Sequence, residues 1–154
     1  PTHAEEMIRT GRERIPALIE KYGFASISIP PEPGRPGYCY TVGLADKGPG
    51  CELMVIGMDP LPASRLLQGA VTAAGDNEIG EGEAVINGLR VVLLDLPHRR
   101  DEIALLAAER VSKPFRLLQI VLPDGRGCFP WSPACIGVHR EEQLVFLGDC
   151  GGLH

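Results

Sequence analysis

Concentrated charge, long apolar runs and recognisable catalytic signatures are all missing from this chain. Its 154 residues carry 15 Lys+Arg against 20 Asp+Glu, a formal charge of −5, and no basic run longer than Arg99-Arg100. Nucleic-acid binding usually leaves a basic stripe, so that class is set aside. No apolar run approaches the roughly 20 residues that span a bilayer, so no membrane partner is expected. The first turns, crowded with His3, Glu5, Glu6, Arg9 and Arg12, do not read as a signal peptide. There is no P-loop, and Gly80-Glu81-Gly82 lacks the later glycine and the preceding strand of a dinucleotide fingerprint. No repeat at a solenoid period is visible.

What is present fits one globular domain. Apolar residues make up 44% and charged residues 23%, and a chain of this length buries enough surface to need no covalent staple. The five cysteines, Cys39, Cys51, Cys128, Cys135 and Cys150, form an odd set without a secretory pattern. Reduced thiols in the cytoplasm are the expectation.

The best-specified stretch is residues 38–58. Y-C-Y-T-V-G-L and C-E-L-M-V-I-G-M flank the turn-forming A-D-K-G-P-G, which predicts two adjacent strands. Ahead of it, periodicity predicts a helix over residues 3–22, kinked or divided at Pro16 and stopped by Gly23. A strand over 24–29 follows, then an extended surface loop with four prolines in residues 30–36. Beyond the pair, Pro60 and Pro62 open a helix over 63–74. Asn87-Gly88 between two β-type runs predicts a hairpin. A helix over 101–111 and an apolar, central strand over 115–122 come next. Residues 143–147, Q-L-V-F-L, read as a last strand, and 148–154 as a loose Gly-rich tail. The order favours a single α+β domain with a core over about residues 5–147: a mostly antiparallel sheet with helices packed on one face.

Two blocks carry a family resemblance. One is Tyr40-Thr41-Val42-Gly43-Leu44 with Glu52-Leu53-Met54-Val55-Ile56-Gly57-Met58. The other is Leu118-Gln119-Ile120-Val121-Leu122-Pro123-Asp124-Gly125 with Gly127-Cys128-Phe129-Pro130-Trp131. Together they resemble the bacterial family catalogued as domain of unknown function 4262, over nearly the whole domain. Cys51 departs from that pattern, standing where a proline usually precedes Glu-Leu. The resemblance implies a fold and no activity. A weaker similarity, on Y-T-x-G-L followed by E-L, connects such domains with suppressor-of-fused-like domains, which implies a protein-interaction role by analogy.

The candidate ligand-binding residues are Tyr40, Thr41, Glu52, Gln119, Asp124 and Trp131. Tyr40, Thr41 and Glu52 come from adjacent strands and could together hold a polar ligand; alternatively Glu52 satisfies the donors of a neighbouring loop. Gln119 interrupts an apolar strand and needs partners, in a pocket or on a loop backbone. Asp124 is first a turn former, and Trp131 between two prolines reads as a lid on the core or a stacking platform. Separately, Cys128, Cys135, His139, Cys150 and His154 fall within 27 residues. Their donor types suit zinc, although no standard zinc spacing is present. Two functions follow: a non-catalytic module for a small ligand or a protein partner, and, as the alternative, a small zinc enzyme or metal-binding protein using those C-terminal residues. Whether the chain is a homo-oligomer stays open.

Overall fold

The computed structural model describes residues 14–96, 103–110 and 114–147. Helix α1, Ile15–Tyr22, has Pro16 in its first turn, where a missing N–H costs nothing. Pro16 therefore stands in the first turn of this helix; residues 3–13, which hold the rest of the helix expected over 3–22, lie outside the described residues. Gly23, at φ 90°, turns the chain out and returns its N–H to the Ile19 carbonyl at 2.8 Å, the left-handed stop that glycine adopts without penalty.

Strands β1 (Ala25–Ile29) and β2 (Tyr38–Val42) form an antiparallel pair in register from Ala25↔Val42 to Ile29↔Tyr38. The proline-rich segment between them is closed on itself. Glu32 and Arg35 exchange backbone hydrogen bonds of 3.0 Å across Pro33 and Gly34, the latter at φ 78°, as a turn with Pro then Gly at its centre requires. Strand β3 (Cys51–Ile56) adds to β2. Helix α2 (Pro60–Ala74) follows. Strands β4 (Gly82–Ile86) and β5 (Leu89–Asp95) then form the expected hairpin. Asn87 at φ 53° and Gly88 at φ 80° supply the two left-handed residues of its two-residue turn. Helix α3 (Leu105–Arg110) covers part of the helix expected over 101–111; residues 101, 102 and 111 lie outside the described residues. Strand β6 (Arg116–Val121) inserts between β3 and β5, parallel to the first and antiparallel to the second. The six-stranded order is β1-β2-β3-β6-β5-β4.

This is an α+β sheet, mostly antiparallel, as expected. The expected one-sided helix layer is corrected by the core. Leu18 and Ile19 of α1, together with Ile103, Ala104 and Ala107, pack with Tyr38, Tyr40, Met54, Ile56 and Leu117. Ala63, Leu66, Leu67 and Ala70 of α2 pack with Cys39, Leu53, Val55, Leu118 and Ile120. Because side chains alternate along a strand, these are the two faces of one sheet, and both are covered. The physical reason lies in β3 and β6. Every residue of β3, and all of β6 after Arg116, is buried, and a parallel pair of this kind needs cover on both sides.

The expected strand over 143–147 is also corrected. Helix α4, Gly137–Gln143, occupies this region, and the chain leaves it in turns with Leu144 N–H on Arg140 O at 3.0 Å and Leu147 N–H on Leu144 O at 3.1 Å. Leu144, Phe146 and Leu147 still face the core while Val145 is exposed, so the apolar residues are satisfied by packing without sheet pairing. Among the described residues no helix is long and apolar enough to cross a membrane.

Candidate functional site

Thr41 and Glu52 are brought together by the β2–β3 pair. The Thr41 hydroxyl donates to Glu52 Oε1 at 2.7 Å and accepts from the Leu53 N–H at 2.8 Å. The same carboxylate accepts the N–H groups of Gly43 (3.2 Å), Leu44 (3.1 Å) and Ala45 (3.0 Å). Glu52 is 1% exposed. Burial pushes its carboxyl above the ordinary value, and the Thr41, Ala45, Leu44 and Gly43 donors pull it back. Gly43 is required here twice over. It sits at φ 106°, and a Cβ would press on the Ile19 side chain. The Y-T-x-G-L and E-L motifs thus build one clamp: a carboxylate from β3 holds the loop that leaves β2.

The remaining candidates have partners elsewhere. Tyr40 is buried, and its hydroxyl accepts the Leu106 N–H at 3.2 Å. Gln119, wholly buried in β6, donates from Nε2 to the Gln143 carbonyl at 2.7 Å. Gln143 in turn donates from Nε2 to Ile56 O at 3.0 Å and accepts the Leu122 N–H on Oε1 at 3.0 Å. Gln119 Nε2 is thus bound to the backbone of the last residue of α4. Asp124 holds the P-D-G-R-G-C-F-P-W loop together, accepting from Arg126 N–H and Cys128 N–H at 2.9 Å and from Ile136 N–H at 3.0 Å. These donors, Ile136 first, lower its carboxyl to about 2. Trp131 lies in the same loop, stacked on Phe129 at 5.2 Å and 38% exposed. Arg140, from α4, donates to the carbonyls of Pro130, Ser132 and Cys135, closing the loop from the other side.

Of the zinc candidates, Cys128, Cys135 and His139 are described, whereas Cys150 and His154 lie outside the described residues. His139 Nε2 is 2.8 Å from Leu122 O and therefore donates to it. Among the described residues no group of three or more His, Cys, Asp or Glu side chains is placed to hold a metal ion. Burial raises the thiols of Cys39 and Cys135, and that of Cys51 to about 12. A thiol so raised is protonated near neutrality and a poor nucleophile.

A cleft of about 520 Å³ opens at the other end of the β2–β3 pair. Pro30, Pro31 and Pro36 form one wall; Met58, Asp59 and Pro60, between β3 and α2, form the opposite one. Gly57 N–H bonds Gly37 O at 3.1 Å and ties the two sides. The floor is Ser28, Ile29, Tyr38 and Cys39, and Glu142 reaches in from α4. The Glu142 carboxylate lies over Gly57, where φ is 80° and an added Cβ would collide with it. None of the six sequence candidates lines this cleft. Sequence reasoning missed Arg140 and Glu142, which lie in a stretch given no element, and Gln143, which opens the segment read as a last strand. The E-E-Q run of 141–143 gives no motif, and its partners are as far as 87 residues away.

No curated protein and no solved structure matches the chain. The family model described as Domain of unknown function (DUF4262) matches residues 18–136, well over half of the sequence and inclusive of both motif blocks. The Thr41–Glu52 clamp and the Asp124 loop are thus what those blocks build here, and the chain belongs to the DUF4262 family.

Proposed function

We propose that this domain is a non-catalytic module that binds a small ligand in the cleft between the proline-rich turn and the β3–α2 junction. One observation carries the reading. The Glu52 and Asp124 carboxylates of the two motif blocks are engaged by backbone donors, and the Cys39, Cys51 and Cys135 thiols are raised by burial, while the cleft is open and mostly apolar. Its volume falls within the range of small-molecule sites, roughly 300–1,000 Å³. Its walls are held by prolines, which lose little entropy when a ligand settles against them. Tyr40, Thr41, Glu52, Gln119 and Asp124 serve the site by fixing the sheet and loops beneath it, and do not touch the ligand.

The test combines native mass with a blocked cleft. Purified protein is weighed folded and denatured, and any excess organic mass identifies the ligand class. The excess is expected to vanish in Ser28→Tyr, which puts a ring into the cleft from an exposed floor position. A ligand retained by folded Ser28→Tyr, or one returned chemically altered by the wild type, overturns the reading.

A further inference from the structure

The cleft's charge identifies the chemistry of its occupant. Among the described residues its lining contains two carboxylates, Asp59 and Glu142, and no Lys, Arg or His. They come from different parts of the chain: Asp59 precedes α2, and Glu142 is in the last turn of α4. Neither is spent on the fold. Asp59 makes no side-chain bond to the start of α2, and no hydrogen bond or ion pair joins either carboxylate to another described side chain. Arg35, in the proline-rich turn, is committed elsewhere: it lies 5.5 Å over the Tyr38 ring and pairs with Glu32 at 3.2 Å. Gly57 is what admits Glu142, since any side chain there would expel its carboxylate.

On the reading of the cleft as a binding site, we propose that its ligand is a small organic cation, an ammonium group carried on an apolar body. The apolar body would lie along Pro31, Pro36 and Met58. The ammonium would face Glu142, which is half-buried and screened less than a surface charge, with the more exposed Asp59 reinforcing it. An anion of the same shape would meet two uncompensated negative charges. A macromolecular partner is disfavoured by the size of the cleft, which matches a single small ligand.

The experiment uses three probes with one apolar body: phenethylammonium, phenethyl alcohol and phenylpropionate. Each is titrated into the full chain while the backbone amides of Gly37, Gly57 and Met58 are followed by NMR. The expected result is that the cation shifts these amides and binds at least about tenfold more tightly than the alcohol, with the carboxylate weakest, and that salt erodes the difference. Glu142→Gln should cost the cation about tenfold and leave the alcohol unchanged. Asp59→Asn, at an exposed site without a structural bond, should cost it a few-fold and serves if Glu142→Gln does not fold. An alcohol or carboxylate that binds at these amides as well as the cation overturns the cation assignment while the cleft stands. Silence of these amides toward all three probes up to their solubility overturns the cleft and the assignment together.

Discussion

Replacing Glu52 should be among the most damaging single changes outside the apolar core. Glu52→Ala strands four donors: the Thr41 hydroxyl and the N–H groups of Gly43, Leu44 and Ala45. A buried donor left without a partner costs about 1–3 kcal/mol. The Thr41 hydroxyl can rotate, and the Ala45 N–H is only partly buried, so water relieves that one. Gly43 and Leu44 carry most of the loss. About 3–5 kcal/mol is the expected total, a large part of the roughly 5–15 kcal/mol that holds a domain folded. For this chain length that corresponds to a melting temperature lower by about 6–20 °C. Glu52→Gln keeps one acceptor but turns an amide NH2 toward donors, so it should fall between wild type and Ala. The pH response has a definite sign. Burial raises the folded-state value of Glu52. The folded chain therefore holds its proton in a window where the unfolded chain has released it. The advantage of wild type over Glu52→Gln is full below the unfolded value near 4.5. It declines as pH rises to the raised folded value, and is flat beyond. Urea unfolding followed by far-UV circular dichroism, compared at constant m-value, measures all of this. A Glu52→Ala midpoint within about 1 kcal/mol of wild type would refute the clamp.

Three other outcomes are expected. Gln143→Leu removes the partners of Ile56 O and Leu122 N–H and should cost about 2–4 kcal/mol in the same assay. Asp124 contributes stability above its ordinary 3.8 that is lost as pH falls through about 2. Asp124→Asn should therefore flatten the acid limb of the wild-type stability curve, measured as midpoint against pH between those values. Treatment with EDTA should leave the melting temperature of the reduced chain unchanged; stoichiometric zinc by elemental analysis, with a fall in melting temperature on chelation, would instead install the Cys128, Cys135, His139, Cys150 and His154 reading.

Local chemistry made some of the fold legible. The Asn87-Gly88 hairpin is written in a dipeptide, because both residues tolerate the positive φ the turn needs. The β2–β3 pair is written in β-branched and aromatic runs around a Gly-Pro-Gly loop. The two-sided cover of the sheet was also present in β6: Leu117, Leu118, Ile120 and Val121 are apolar on both alternating faces, which leaves no solvent face and contradicts a one-sided helix layer. The Gln143 segment misled because Q-L-V-F-L has strand composition. Its conformation is decided by two bonds to distant backbone groups and by packing of Leu144 and Leu147, none of which leaves a local signal. Candidate polar residues were legible as residues with a job. Thr41, Glu52, Gln119 and Asp124 do have specific partners, but the partners belong to the protein's own strands, loops and last helix. The cleft was illegible because it joins residues near positions 30, 58 and 142, and an acidic helix end resembles any solvated surface.

The geometry separates stability from binding along one pair of strands. β2 runs from Tyr38 at the cleft to Val42 at the clamp, and β3 returns from Cys51 at the clamp to Ile56 at the cleft. Four or five residues at about 3.3 Å each place the two ends roughly 15 Å apart, far enough for substitutions to act independently. Glu52→Gln should thus lower stability and leave phenethylammonium affinity unchanged at a temperature where the variant is folded. Gly57→Ala should do the opposite in proportion. Its left-handed φ costs about 1–2 kcal/mol, yet displacing Glu142 should remove most of the cation preference. Combining the two should give losses that add within about 0.5 kcal/mol in both stability and affinity. Coupling beyond that would mean that clamp and cleft act as one unit, and the motif residues would then belong to the binding site itself.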